Sequence, residues 1–504
     1  MTKKELELLD FTNHIETNLA PYREGCKDVI AQLLDDVIGD DAELEEGEKV
    51  VCMNILTEEM LLYDRHYIER GSWDGYISSR YFFTAVLAKN EQDGYSLLRS
   101  SSDNDNFVNV QIKDIDYVPR QNEYSIKGNL EIITGEIETL DDASFPVIMP
   151  VSICWTDGIV STAGNDALSV IAHGNIVNFN SSISNRIESV PEPKMSNEEG
   201  SPKGTVKIFN VGNANFVSYK QNVNALDGTK EKTLIIDAGV GYDYDQVNKV
   251  VTRKRQYSDA RDYIVKNERP ELIIISHLHL DHYLYLDIIN SKNLKGIIIS
   301  EDFLVIKDYN INKYIASIVD KVKIYTINKV IPNARGTKRI DLSSFGFKDV
   351  YLFKGLGKVT PPVSAGLGVI KYNNGDRIVD DSGILVTIGK GLNRIIISGD
   401  CSYYSWPDED ELDLSQTCRV LVPHHGGHVI IKDLNALVPN SNLFKIVCVS
   451  TTYHTLQNLN NSLGETYHRK YIDALYHKGS TNSMDFRFTC EKTSAAKPYR
   501  AIDV

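Results

Sequence analysis

The chain has 504 residues, enough for two to four domains of ordinary size. With 42% hydrophobic and 24% charged residues, 33 glycines and 15 prolines, it cannot be mainly disordered, collagen-like or a coiled coil. The net charge of −15 divides into −11 over residues 1–70, −10 over 71–204 and +6 over 205–504, so only the last part suits a polyanion.

From Lys4 to about Glu69 the apolar residues recur at helical spacing (Leu6, Leu8, Leu9, then Val29, Ile30, Leu33, Leu34, Val37), with Gly39 and the acidic run Asp40–Glu48 between two stretches. This predicts an acidic helical segment over 1–70. Residues 71–187 change to short alternating runs (YFFTAVLA, VNVQI, YSIKGNLEIIT, VIMPVSICW) split by SSSDNDN and TLDDAS, which predicts a β-rich domain. ESVPEPKMSNEEGSPKG, residues 188–204, has three prolines and almost no apolar content and is read as a linker.

After the linker come strand candidates TVKIFNV, ANFVSYKQ and KTLIIDAG, a polar helix over about 244–266, then ELIIIS, GIIIS, KVKIYTI, DVYLFKG, GILVTIG, RIIISGD, RVLVPHH and KIVCVS. Hairpin-like neighbours at both ends favour an α/β sandwich of two strand layers over a doubly wound sheet. No GxGxxG opens a helix and no GxxxxGK[ST] occurs, so dinucleotide and P-loop chemistry have no support. The first ten residues, MTKKELELLD, lack a signal peptide's apolar run, and no stretch of about 18 uncharged apolar residues occurs. Seven scattered cysteines, none spaced CxxC, indicate neither a disulfide framework nor a thiolate zinc finger. A soluble cytoplasmic protein with no membrane association is expected.

The stretch IIISHLHLDH, Ile273 to His282, runs an apolar strand straight into three histidines and an aspartate. Imidazole nitrogen and carboxylate oxygen suit divalent ions such as zinc and manganese. At a strand end His277 and His279 point to one side, while the following turn can swing Asp281 and His282 toward a neighbouring ion. Three of the chain's 12 histidines within six residues weigh against a purely structural use. PHHGGH gathers His424, His425 and His428 at another strand end, beside two glycines that let backbone approach a ligand closely. Asp400 closes RIIISGD, where a turn or capping residue is also common.

Over about residues 205–504 the sequence resembles the metallo-β-lactamase fold superfamily, whose HxHxDH signature stands here as HLHLDH. KTLIIDAG, with Asp237 and Gly239, resembles its early D-x-G turn, and RIIISGD the strand delivering a metal-bridging aspartate. RVLVPHHGG and IFNVGNANF resemble elements of the ComEC-type, DNA-internalisation branch. The resemblance implies an αββα sandwich holding two divalent ions, zinc or manganese. Its ligands would be His277, His279, Asp281, His282, Asp400 and His425. His424 would serve as a proton-transfer group, or would exchange roles with His425. Asp281 would also orient the attacking water. His468, where this branch shows a late histidine, is read as a catalytic acid or a surface helix residue. No histidine lies between Tyr283 and Gly399, so the first ion has only His277, His279 and Asp400 unless Asp380 or Asp381 helps; an ordinary turn is the alternative for that pair. Two ions sharing a carboxylate activate water and clamp the oxygens of an in-line displacement. The expected activity is that of a phosphodiesterase or nuclease acting on nucleic acid, with a small-molecule hydrolase (nucleotide, phosphate ester or lactone) as the alternative. The acidic residues 1–204 would bind a protein partner or restrain the hydrolase.

Overall fold

A computed structural model of the protein describes residues 27–38, 49–71, 82–88, 107–118, 123–132, 145–148, 152–155, 166–193, 203–240, 243–252, 255–300, 309–327, 339–356, 382–407, 412–426, 446–450, 485–488 and 497–504, apart from a few loop positions within these runs. In chain order the elements are β1 (Lys27–Ile38), β2 (Lys49–Leu56), α1 (Glu58–Arg70), β3 (Phe82–Ala88), β4 (Phe107–Val118), β5 (Glu123–Ile132), β6 (Phe145–Ile148), β7 (Ser152–Trp155), α2 (Asp166–Ser184), β8 (Ile187–Ser189), β9 (Gly204–Phe209), β10 (Phe216–Ala225), β11 (Gly228–Ala238), β12 (Asp243–Asp245) and β13 (Val250–Thr252). Then follow α3 (Arg255–Asn267), β14 (Leu272–Ile275), α4 (Leu280–Tyr283), β15 (Gly296–Ile299), α5 (Tyr309–Ile318), β16 (Lys323–Thr326), β17 (Ile340–Asp341), β18 (Val350–Lys354), β19 (Ile384–Ile388), β20 (Arg394–Ile397), β21 (Thr417–Leu421), β22 (Ile446–Val449), β23 (Asp485–Phe488) and β24 (Tyr499–Asp503). No helix among the described residues is long and apolar enough to cross a membrane.

The chain divides into two compact units. The first comprises Met1–Arg186, Tyr242–Arg253 and Phe303–Lys321, the second Ile187–Gly241, Lys254–Asp302 and Val322–Val504. In the first, seven strands close a barrel in the order β1-β2-β3-β6-β7-β5-β4. The helical reading of residues 1–70 is therefore corrected: among the described residues only 58–70 are helical, and 27–38 and 49–56 are strands. The cause is a register shift between Leu33 and Val37 in the β1–β2 ladder. There β1 advances four residues against two of β2, and the two extra residues leave Leu33, Leu34 and Val37 at a spacing that imitates a helix. Residues 71–187 do supply strands β3 to β7, but also α2, whose buried positions Ala172, Asn175, Ile176, Phe179 and Asn180 keep helical spacing with asparagines in the stripe.

The second unit holds two mixed sheets, in the orders β24-β9-β10-β11-β14-β15-β16-β8 and β17-β18-β19-β20-β21-β22-β23. Leu234, Ile236, Leu272, Ile274 and Ile298 from the first share one core with Val350, Leu352, Ile384, Val386, Ile388, Ile395, Ile397 and Leu421 from the second. The alternate residues Ile235, Ile273, Ile275, Ile297 and Ile299 are buried as well. Strands covered on both faces need no polar alternation, which is why they read as unbroken apolar runs.

Three boundaries differ from the sequence reading. Ile187–Ser189, at the edge of the expected linker, pair in parallel with β16. The polar helix starts at Arg255, because residues 243–245 and 250–252 form a small hairpin. The expected single unit over 205–504 is interrupted, since segments 242–253 and 303–321 belong to the first unit.

Candidate metal centre

Three apolar strands each end in a polar turn, and those turns converge. β14 runs into Ser276 and His277, and one turn later α4 presents Asp281 and His282; β20 leads to Asp400, and β21 to His424 and His425. One ligand atom from each of Asp281, His282, Asp400 and His425 lies within 4.8 Å of the others. The cluster can hold a metal ion.

His282 Nε2 stands 3.1 Å from Asp400 Oδ1 and 3.5 Å from Asp281 Oδ2; His425 Nε2 stands 2.9 Å from Asp281 Oδ2 and 3.6 Å from Asp400 Oδ1. His282 Nε2 and Asp400 Oδ1 are buried and make no well-directed hydrogen bond, despite their proximity. Proximity without direction fits donors that share a cation better than donors that bond each other.

The other ring nitrogen explains why these atoms face inward. Asp237 is fully buried, with its backbone in the left-handed region at φ 55°. Its Oδ1 accepts from the Ser276 amide at 2.7 Å, and its Oδ2 accepts from the Ser276 hydroxyl at 2.9 Å and lies 2.8 Å from His282 Nδ1. With the hydroxyl proton given to Asp237, Ser276 Oγ can accept from His277 Nδ1 at 3.1 Å. This network places a proton on Nδ1 in both rings and makes Nε2 of each the atom that would bind a metal.

Backbone fit is equally tight. A Cβ on Gly239 would overlap the carbonyl oxygen of Asp281, and one on Gly399, at φ 55°, would overlap the Ser276 hydroxyl. Asn215 clamps the two turns, its amide donating to Asp281 O at 3.1 Å and its carbonyl accepting from Gly239 at 2.8 Å. The Ile384 amide, at the start of β19, donates to Ser276 O at 2.8 Å and so ties the second sheet to the end of β14. His424 and His425 both lie at φ 52°. Left-handed backbone in two successive non-glycine residues is strained and is held only by its surroundings.

Charge follows from this packing. Burial, then the neighbouring His282 and His279, push the His277 pKa well below the ordinary histidine value, so that ring is neutral. Burial also opposes charge on His282, but Asp400, Asp281 and Asp237 together outweigh it and lift its pKa well above the ordinary value. Burial would raise Asp281 and Asp400, yet His282 and His425 dominate and hold both well below the usual carboxylate range.

Of the residues singled out from sequence, four form the cluster. His277 adjoins it, with Nε2 3.9 Å from Asp400 Oδ2 and its ring centre 4.0 Å from that of His282. The His279 ring lies 4.6 Å from that of His277. His424 is partly exposed, with Nε2 3.9 Å from Asp400 Oδ2. Asp380, Asp381, His428 and His468 lie outside the described residues. The orienting roles of Asp237 and Ser276 were not read from sequence, although a lone carboxylate closing KTLIID and a hydroxyl closing ELIIIS were visible signals. Compared with protein-family models and with curated proteins, the chain matches none.

Proposed function

We propose that the second unit is a metal-dependent hydrolase of metallo-β-lactamase type, similar to the ComEC-type branch, acting on phosphodiesters. The observation that carries this reading is the convergence of Asp281, His282, Asp400 and His425 from three segments far apart in sequence. The two mixed sheets on one core agree with such a sandwich. One divalent ion would be held by these four residues, and a second by His277, His279 and Asp400. Such ions supply a Lewis acid and lower the pKa of water toward neutrality.

The protein groups have separable tasks. Asp237 and Ser276 hold the His282 and His277 rings in the ligating tautomer. Asp281, with a quarter of its side chain exposed, is placed both to bind the cation and to accept a proton from the reacting water. His424, 31% exposed beside Asp400, would return a proton to a leaving oxygen. The +6 charge of residues 205–504 supports an anionic substrate.

The test is elemental analysis followed by incubation of the metal-loaded protein with labelled DNA, labelled RNA, bis-p-nitrophenyl phosphate and a lactone panel. Up to two metal equivalents and cleavage of a phosphodiester are expected. Lactone turnover alone would replace the substrate class, and a protein that takes up no metal would end the reading.

A further inference from the structure

One ring of the cluster lacks the support that its neighbours have. His282 Nδ1 rests on Asp237, and His277 Nδ1 on Ser276. His425 Nδ1 is buried and has no hydrogen-bond partner among the described residues. A ring that gives Nε2 to a cation carries its proton on Nδ1, and such rings almost always donate that proton to an oxygen acceptor. The His425 backbone, left-handed at φ 52°, leaves the orientation of the ring to its surroundings.

A second buried group at this place is unpaired as well. Asn215 is 1% exposed, and neither Oδ1 nor Nδ2 of its carboxamide has a partner among the described residues. Each such unpaired group costs about 1–3 kcal/mol, so a purely structural use would favour an apolar side chain of the same shape. The backbone does not call for asparagine either, since Asn215 stands outside the left-handed region.

Asn215 and His425 flank the same residue. The Asn215 amide donates to Asp281 O at 3.1 Å, and His425 Nε2 lies 2.9 Å from Asp281 Oδ2. Asn215 immediately precedes β10, whose Val217 and Tyr219 enter the core shared by the two sheets while Ser218 faces Glu268 on the other side. Continuing that alternation turns Asn215 toward the second sheet, which leads to His425. Ser450, at the end of β22, donates to Ala214 O at 2.5 Å, and β22 is the parallel neighbour of β21, the strand that runs into the His424–His425 turn.

We propose that Asn215 is the positioning residue of His425, its Oδ1 accepting from His425 Nδ1–H when the cluster holds a cation. This rests on the metal reading above. Two donors on one zinc ion stand about 3.3 Å apart at tetrahedral angles, so the 2.9 Å approach of His425 to Asp281 must open as the ion enters. With Nε2 given to the cation, the proton of the ring stands on Nδ1, where the carboxamide oxygen accepts it. Asn215 thereby does for His425 what Asp237 does for His282, with a neutral acceptor in place of a charged one.

The test is zinc affinity of the full-length chain by chelator competition, with thermal unfolding of the metal-free form alongside. Asn215→Leu should bind zinc about tenfold more weakly, while its metal-free form melts no lower than that of the unaltered chain. Asn215→Asp, which keeps an acceptor oxygen at the same place, should retain the affinity. In a His425→Ala background Asn215→Leu should cost no further affinity, because the partner is already gone. An equal loss in both backgrounds makes Asn215 a support of the Asp281 turn and overturns the proposal. If Asn215→Leu does not fold, Asn215→Ala is read in the same way. Nitrogen NMR of the zinc-loaded chain with labelled histidine gives an independent readout. The His425 signal, assigned by its loss in His425→Ala, should report ligation through Nε2 with the proton on Nδ1, and ligation through Nδ1 overturns the proposal. A chain that takes up no zinc ends the metal reading and the proposal with it, whereas zinc uptake indifferent to Asn215 ends the proposal alone.

Discussion

Two buried ionic clusters, one in each unit, differ in a way that separates architecture from chemistry. In the first unit Asp64 pairs with Lys313 and accepts from the Tyr309 hydroxyl, which in turn accepts from Asn175. The cluster is closed within the protein. In the second unit the groups around Asp281 and Asp400 are, among the described residues, imidazoles, and buried donor atoms of His282 and Asp400 lack directed partners there. That cluster is electrostatically complete only when a proton or an external cation joins it. The same residue type, a buried aspartate, is thus a fastener in one place and half of a cation site in the other.

The comparison can be broken by mutation. The largest effect is expected for Asp281→Asn, which keeps the shape but removes a charge from the open cluster: hydrolysis should fall by about 10³-fold or more, with the melting temperature of the metal-free chain changed by only a few degrees. A parallel collapse of fold and activity would make the cluster structural. Asp64→Ala should do the reverse in kind, costing about 3–5 kcal/mol of stability by removing a buried carboxylate that pairs with the buried Lys313. Chemical denaturation of the full-length chain measures this, and a cost under about 1 kcal/mol would place the pair among weak surface-like bridges.

Asp237→Asn tests the support beneath the ligands. Its carboxylate receives Ser276 and orients His282, so the variant should bind metal about 10–100-fold more weakly while the rate at saturating metal falls less. Unchanged affinity by metal titration would show that the ring orientation is set by packing alone.

The smallest effect is on pH dependence, and its sign follows from the directions of shift. His282, whose pKa is raised, stabilises the metal-free protein below about pH 6.5, and that contribution is lost as pH rises through its raised value. Asp281 and Asp400, whose pKa values are lowered, contribute above about pH 4, and that contribution is lost as pH falls through their depressed values. The metal-free cluster therefore contributes most between roughly pH 4 and 6.5. A cation must displace the His282 proton, so zinc affinity should rise with pH and loading should release protons. Titration calorimetry in buffers of different ionisation enthalpy measures that release; none would contradict the assigned state of His282.

Much of the centre was legible in sequence because its chemistry is local. Three histidines and an aspartate after an apolar strand can be read from ten consecutive residues, as can an aspartate after RIII and two histidines after RVLVP. Unbroken isoleucine runs likewise announce strands buried on both faces. What the sequence could not decide is long-range. Residues 27–56 read as helix because a bulge in β1 disguises its alternation, and only pairing with β2 and β4 makes the strand. Asp237 and His282 are 45 positions apart and meet only because β11 and β14 are parallel neighbours. Segments 242–253 and 303–321 look like ordinary connections of the second unit, and only packing assigns them to the first. Residue type and short spacing determine which atoms can bind a cation, whereas strand order, register and burial determine which of them meet, because those depend on contacts that no local window of sequence contains.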